Sequence, residues 1–144
     1  MARPVILSRT SPSQSVGAGT DDSIIISDQA EEWRLVRVRT SAEDYYVHAE
    51  DCYVQHAPTG RWACVGDQNP SSGSIVVVSN ASRSVWNLLT NNSPTPIILR
   101  DNQNQGLVWT LESGSAGSRV ILSTDTASDA NRWIVTDLAE TAQI

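Results

Sequence analysis

The chain has 144 residues, 40% of them apolar, with five Trp and no Phe; this length suits one domain, 1–144, with a real apolar core and is short for two. All ten basic residues are Arg, against sixteen acids, for a formal charge of −6, so nucleic acid is not an expected partner: neutralising phosphates needs a basic surface. The longest apolar run falls far short of the roughly 20 residues of a membrane span, and "MARPVILSRT" lacks the apolar segment of a signal peptide, so a cytoplasmic protein without membrane insertion is expected.

In chain order, clusters of branched and aromatic residues predict strands at "RPVILSR", more weakly at "SQSVGAG", then at "SIIISD", "WRLVRVR", "YYVHAE", "CYVQHA", "RWACVG", "SIVVVSN", "VWNLLT", "PIILRD", "LVWTLE", "RVILST" and "RWIVTD". Turn-prone sequences such as "GAGTDD", "DQNPSSG", "TNNSP", "DNQNQG" and "SGSAGS" separate them, and helical periodicity never lasts beyond about a turn. The predicted class is all-β.

Three stretches repeat one pattern: "SIIISDQAEEWRLV", "SIVVVSNASRSVWNLL" and "RVILSTDTASDANRWIV" each run from branched residues through a polar turn to Trp and then alternating apolar positions. Trp33, Trp86 and Trp133 are thereby equivalent, spaced 53 and 47 residues apart, and are expected in the core. Each repeat divides into four short strands. A half-buried hairpin unit cannot cover its own apolar side, so three such units must pack about a common centre. The predicted architecture is a β-trefoil of three four-stranded units with pseudo-threefold symmetry; a three-sheet β-prism shares the period, and a two-sheet sandwich does not require it.

On this repeat the chain resembles the ricin-B-like β-trefoil family, including small fungal cytoplasmic lectins and the related fungal trefoil protease inhibitors. Members of that family often carry Gln two positions before the repeat Trp; here the positions hold Glu31, Ser84 and Asn131. The resemblance implies a lectin, with glycans or glycoproteins as partners and a defensive role, that binds through loops of one or two units. In the family an Asp at the end of a unit's second strand and a later aromatic hold the sugar, helped by an amide near the repeat Trp. Matching positions are Asp101, Asn104, Trp109 and Asn131 in one unit, and Asp51, Tyr53 and Trp62 in another. A carboxylate or amide gives hydroxyl hydrogen bonds their direction, and an aromatic face receives the apolar side of a sugar ring. Several sites, or a homodimer, would supply multivalency.

The inhibitor branch of the resemblance implies instead a rigid loop offered to a protease. Arg83 and Arg61 suit a trypsin-like pocket, where a buried carboxylate pairs with a guanidinium; Asn80 suits an asparagine-directed cysteine protease. Catalysis is not expected, because His48 and His56 are the only histidines and no nucleophile motif such as "GxSxG" occurs. Cys52 and Cys64 are expected as buried free thiols, and neither their spacing nor their company with the two histidines suggests a metal site. No cofactor is implied.

Overall fold

Along Ile24–Ser27, Val76–Ser79 and Ile97–Leu99, buried and half-buried positions alternate, as they do in a pleated strand with one face on the core. The computed structural model describes residues 6–8, 15–27, 29, 31–38, 49–66, 69–89, 94–100, 106–135 and 142–143, and the structural statements below concern these. The first unit holds β1 (Ile6–Ser8), β2 (Ser15–Ala18), β3 (Ile24–Ser27) and β4 (Trp33–Arg37). The second holds β5 (Ala49–His56), β6 (Arg61–Val65), β7 (Val76–Ser79) and β8 (Trp86–Leu89). The third holds β9 (Ile97–Leu99), β10 (Leu107–Leu111), β11 (Val120–Thr124) and β12 (Trp133–Val135).

Within every unit the second and third strands form a hairpin, in equivalent register: Val16 faces Ile26, Ala63 faces Val78 and Trp109 faces Leu122. Backbone hydrogen bonds then join the hairpins in a closed ring. Val78 N donates to Asp22 O at 2.9 Å, Leu122 N to Ser74 O at 2.8 Å and Ile26 N to Ser118 O at 3.0 Å. These are the same two positions of the repeat, taken once around the pseudo-threefold axis. The remaining strands pair as β12 with β1, β4 with β5, β5 with β8 and β8 with β9. The arrangement is a β-trefoil, as the repeat predicts.

Two features depart from the sequence reading. "YYVHAE" and "CYVQHA" are expected as separate strands, yet β5 runs unbroken from Ala49 to His56, while residues 41–48 lie outside the described residues. The acidic Glu50 and Asp51 make no turn because the strand is paired through them, Glu50 opposite Leu88 and Asp51 opposite Asn87. In addition, Ala142–Gln143 (β13) lies parallel beside β4, with Ala142 opposite Val36. Its sequence carries no apolar cluster to announce a strand.

Trp33, Trp86 and Trp133 are fully buried. Each indole Nε1 donates to a carbonyl on the second strand of its own unit: Trp33 to Val16 at 2.9 Å, Trp86 to Ala63 at 3.2 Å and Trp133 to Trp109 at 3.0 Å. The core therefore gains the area of a large ring without leaving its N–H unsatisfied. The residue two before each Trp reaches toward the same hairpin strand. Glu31 Oε1 accepts from Ala18 N at 3.3 Å, Ser84 Oγ accepts from Val65 N at 3.3 Å, and Asn131 Nδ2 donates to Thr110 Oγ1 at 2.9 Å. The position that often holds Gln in the ricin-B-like proteins is thus a clamp in all three units here. In the first unit Gly17 admits the clamp, since a Cβ on it would lie 2.5 Å from Glu31 Oε2.

Trp133→Ala is expected to destabilise the protein by about 3 to 5 kcal/mol, read from urea midpoints; an unshifted midpoint would contradict its place in the core. Asn131→Ala strands the Thr126 N–H and removes one donor from the Thr110 hydroxyl, which keeps Val108 O and Ser123 Oγ, and should cost about 1 to 3 kcal/mol.

Candidate functional site

Strand β5 has two faces. Cys52, Val54 and His56 are buried, whereas Asp51, Tyr53 and Gln55 are partly exposed. The outward face continues through the register into its neighbours: Arg34 lies opposite Gln55, Gln55 opposite Trp62, and Trp62 opposite Ser79. One polar and aromatic row therefore crosses β4, β5, β6 and β7.

Tyr53 and Trp62 meet on this face edge to face, with ring centroids 5.7 Å apart and planes at 74°, a favoured geometry for two aromatic quadrupoles. Arg83 closes over them, its Cζ 3.9 Å from the Tyr53 centroid and 5.1 Å from that of Trp62, within the range of a cation–π contact. The loop between β7 and β8 is built to hold it there. Ser79 Oγ accepts from Ala81 N at 3.0 Å and Ser82 N at 3.3 Å, which turns the chain just after β7. On the far side of Arg83, Ser84 N donates to Ala63 O at 3.2 Å and its Oγ holds β6. Arg83 is itself exposed, yet its backbone is fastened on both sides.

Around this cluster the polar groups are fixed as well. Gln55 Oε1 accepts from Arg34 Nη1 at 3.2 Å, and Gln55 Nε2 donates to Gly60 O at 3.0 Å. Asp51 stands third in β5 rather than at a strand end, and its carboxylate is committed: Oδ1 accepts from Asn87 Nδ2 at 2.8 Å and lies 3.3 Å from Arg100 Nε, leaving the side chain 9% exposed. Its position and partners show a carboxylate joining β5 to β8 and to the residue after β9. Asp51 adjoins the aromatic pair along the strand without offering it a free acid.

Trp109 and Asn131 of the other expected constellation are both turned inward. Trp109 is fully buried, packed edge to face with Trp86 at 5.5 Å and with Trp133 at 5.9 Å, so it has no face to offer a sugar ring. It occupies the core position held by Val16 and Ala63 in the other units. Asn131 is 1% exposed; its Oδ1 accepts from Thr126 N and Thr126 Oγ1 at 2.9 and 2.7 Å and from Ser128 Oγ at 3.2 Å. Its amide is spent on the turn before Trp133 and on Thr110, where it acts as a clamp. Asp101 and Asn104 lie outside the described residues.

Of the loop residues expected to enter a protease, Arg61 is paired with Asp22, Nη1 to Oδ1 at 2.5 Å, and Arg83 rests on the aromatic pair. Asn80 is exposed at the turn after β7.

His56 faces inward against Trp33, ring centroids 4.9 Å apart, with Nδ1 2.8 Å from Thr59 Oγ1 and Nε2 hydrogen-bonded to Glu31 Oε1; His48 lies outside the described residues. Both cysteines are free and buried. Cys52 belongs to the core, while Cys64, next to core residue Ala63, faces the other side of its sheet. Burial pushes the Cys64 thiol up, and a hydrogen bond with Ser79 offsets this only in part, so the group stays protonated and a poor nucleophile at neutral pH. Among the described residues no group of three or more His, Cys, Asp or Glu is placed to hold a metal ion, and no helix is long and apolar enough to cross a membrane. What the outward face of the second unit offers is binding chemistry: two aromatic rings, a guanidinium and fixed amides.

No protein-family model and no curated protein matches the chain. Among solved structures it is similar to the crystal structure of ThreeFoil, a designed threefold-symmetric protein, with a TM-score of 0.68 over 93% of this chain and 97% of that one at 17% identity. A likeness at that identity speaks for the fold alone, and it agrees with the strand pairing in making this chain all-β with a trefoil arrangement of its three units.

Proposed function

We propose that the protein is a lectin that holds a saccharide on the outward face of its second unit. The observation that carries this reading is the partly exposed Tyr53–Trp62 pair, set on a rigid sheet face beside the oriented amide of Gln55. A sugar ring presents an apolar side that an aromatic can cover and a rim of hydroxyls that need directed partners. Both kinds of group stand here on paired strands, so little side-chain freedom remains to be lost on binding. Glycans or glycoproteins are the proposed partners, in a cytoplasmic setting like that of the small fungal lectins the repeat resembles.

A glycan array followed by calorimetric titration of any hit tests the proposal. Trp62→Ala and Tyr53→Ala should each weaken a hit by about tenfold or more, the share of affinity expected from losing a buried ring face. Near-ultraviolet circular dichroism would show that the remaining tryptophans keep their packing. Absence of any saccharide binding at millimolar concentration would defeat the lectin reading, and full affinity in both variants would move the site elsewhere.

Protease inhibition is the second reading, and one observation favours it at a single residue. Asn80 is exposed on a turn that Ser79 Oγ holds through two backbone N–H groups, the fixed presentation that an inhibitory loop needs. This reading predicts stoichiometric inhibition of an asparagine-directed cysteine protease that Asn80→Ala abolishes. Undiminished protease activity at equimolar protein would exclude it.

A further inference from the structure

We infer that the saccharide taken at this face is acidic, and that Arg83 pairs with an oxyanion, a carboxylate or a sulfate ester, carried by the sugar. The inference rests on the lectin reading above and names the class of its ligand. Four arginines, Arg61, Arg100, Arg119 and Arg132, each have an aspartate within 4.0 Å. Arg83 has none among the described residues: its contacts are the Tyr53 and Trp62 rings. A guanidinium lying over aromatic rings keeps its in-plane N–H donors for other acceptors, and their fork matches the two oxygens of a carboxylate or sulfate.

Among the described residues no carboxylate lies within 4.0 Å of Arg83 to compete for those donors. The outward-facing carboxylate of the same sheet, Asp51, is 9% exposed and already faces Arg100 and Asn87. The chain as a whole is acidic, with a formal charge of −6, so no long-range field draws an anion toward it. Its other charges are largely screened beyond about 8 Å at physiological ionic strength, and recognition falls to Arg83, the cation that lies against the rings. The anchoring of Ser79 and Ser84 on either side of Arg83 keeps that cation against the aromatic pair, at the face proposed for the sugar.

The test uses the full chain and matched probes: lactose, 3′-sialyllactose and 3′-sulfolactose, together with trigalacturonate and its methyl ester, each titrated against the unaltered protein and against Arg83→Gln. The acidic member of at least one matched set should bind about tenfold more tightly than its neutral counterpart, the scale of one charge-assisted hydrogen-bonded pair. Arg83→Gln should remove that preference, and Arg83→Lys should restore part of it by returning the charge without the fork. The sialylated, uronate and sulfated probes separate the two sources of the oxyanion. Equal affinity for neutral and acidic probes would overturn the inference and leave the lectin reading standing. So would an acid preference that survives in Arg83→Gln with an unchanged melting temperature. Failure of every probe here and of every glycan on the array would remove both.

Discussion

The hydrogen bond from each repeat Trp to its own hairpin is the contact on which the other features of this fold hang. In each unit the indole of the fourth strand enters the core and donates to a carbonyl of the second strand, at Val16, Ala63 or Trp109. A ring of that size in the centre fixes the distance between the hairpin and the strand that follows it. The residue two positions earlier then lies within reach of the same hairpin strand, which is why Glu31, Ser84 and Asn131, three different side chains, all end as clamps. With both contacts made, the fourth strand of each unit and the turn before it are fastened to the hairpin at two points.

The three units are not equally filled, and the inequality bears on where a site can form. The carbonyls that receive the indoles belong to Val16, Ala63 and Trp109, residues of very different size at one equivalent position, all of them buried. The third unit spends its second-strand tryptophan inside, between Trp86 and Trp133, and its Nε1 finds no acceptor among the described residues. That ring supplies area to the core and nothing to the surface. In the second unit the inward position is an alanine, and the tryptophan is one residue earlier, at Trp62, on the outward face. A shift of one residue along a strand exchanges the inside for the outside. The same residue type therefore packs the core in one unit and meets solvent in the next.

The repeat made the trefoil legible in the sequence, because a Trp after a branched run and a polar turn recurs three times and each recurrence requires the same burial. Leu107, Trp109 and Leu111 alternate along β10, and the structure buries all three. What the sequence could not display was the spending of polar groups. An asparagine beside a turn reads equally well as a ligand or as a cap, and only the positions of Thr110, Thr126 and Ser128 decide that Asn131 is fully used. Asp51 was legible as an acid and not as a neutralised one, since Asn87 and Arg100 come to it from 36 and 49 residues along the chain. The placing of Arg83 over Tyr53 and Trp62, two residues already grouped in the sequence reading, escaped for the same reason. It depends on the β5–β6 and β6–β7 registers together with the return of the loop after Ser79, although the short "SNASRSVW" link between Ser79 and Trp86 already limited how far Arg83 could stray.

Threefold equivalence also sets how many such faces one chain carries. Counting along the matched registers, Tyr53 corresponds to Pro96 in the third unit, Trp62 to Ser15 and Val108, and Arg83 to Ala130. None of these positions carries an aromatic or a cation, and Ser15 and Val108 are buried. Among the described residues the scaffold therefore presents the aromatic and guanidinium cluster once. The symmetry that builds the core is broken at the surface by side chains alone, with the backbone of all three units doing the same work beneath them.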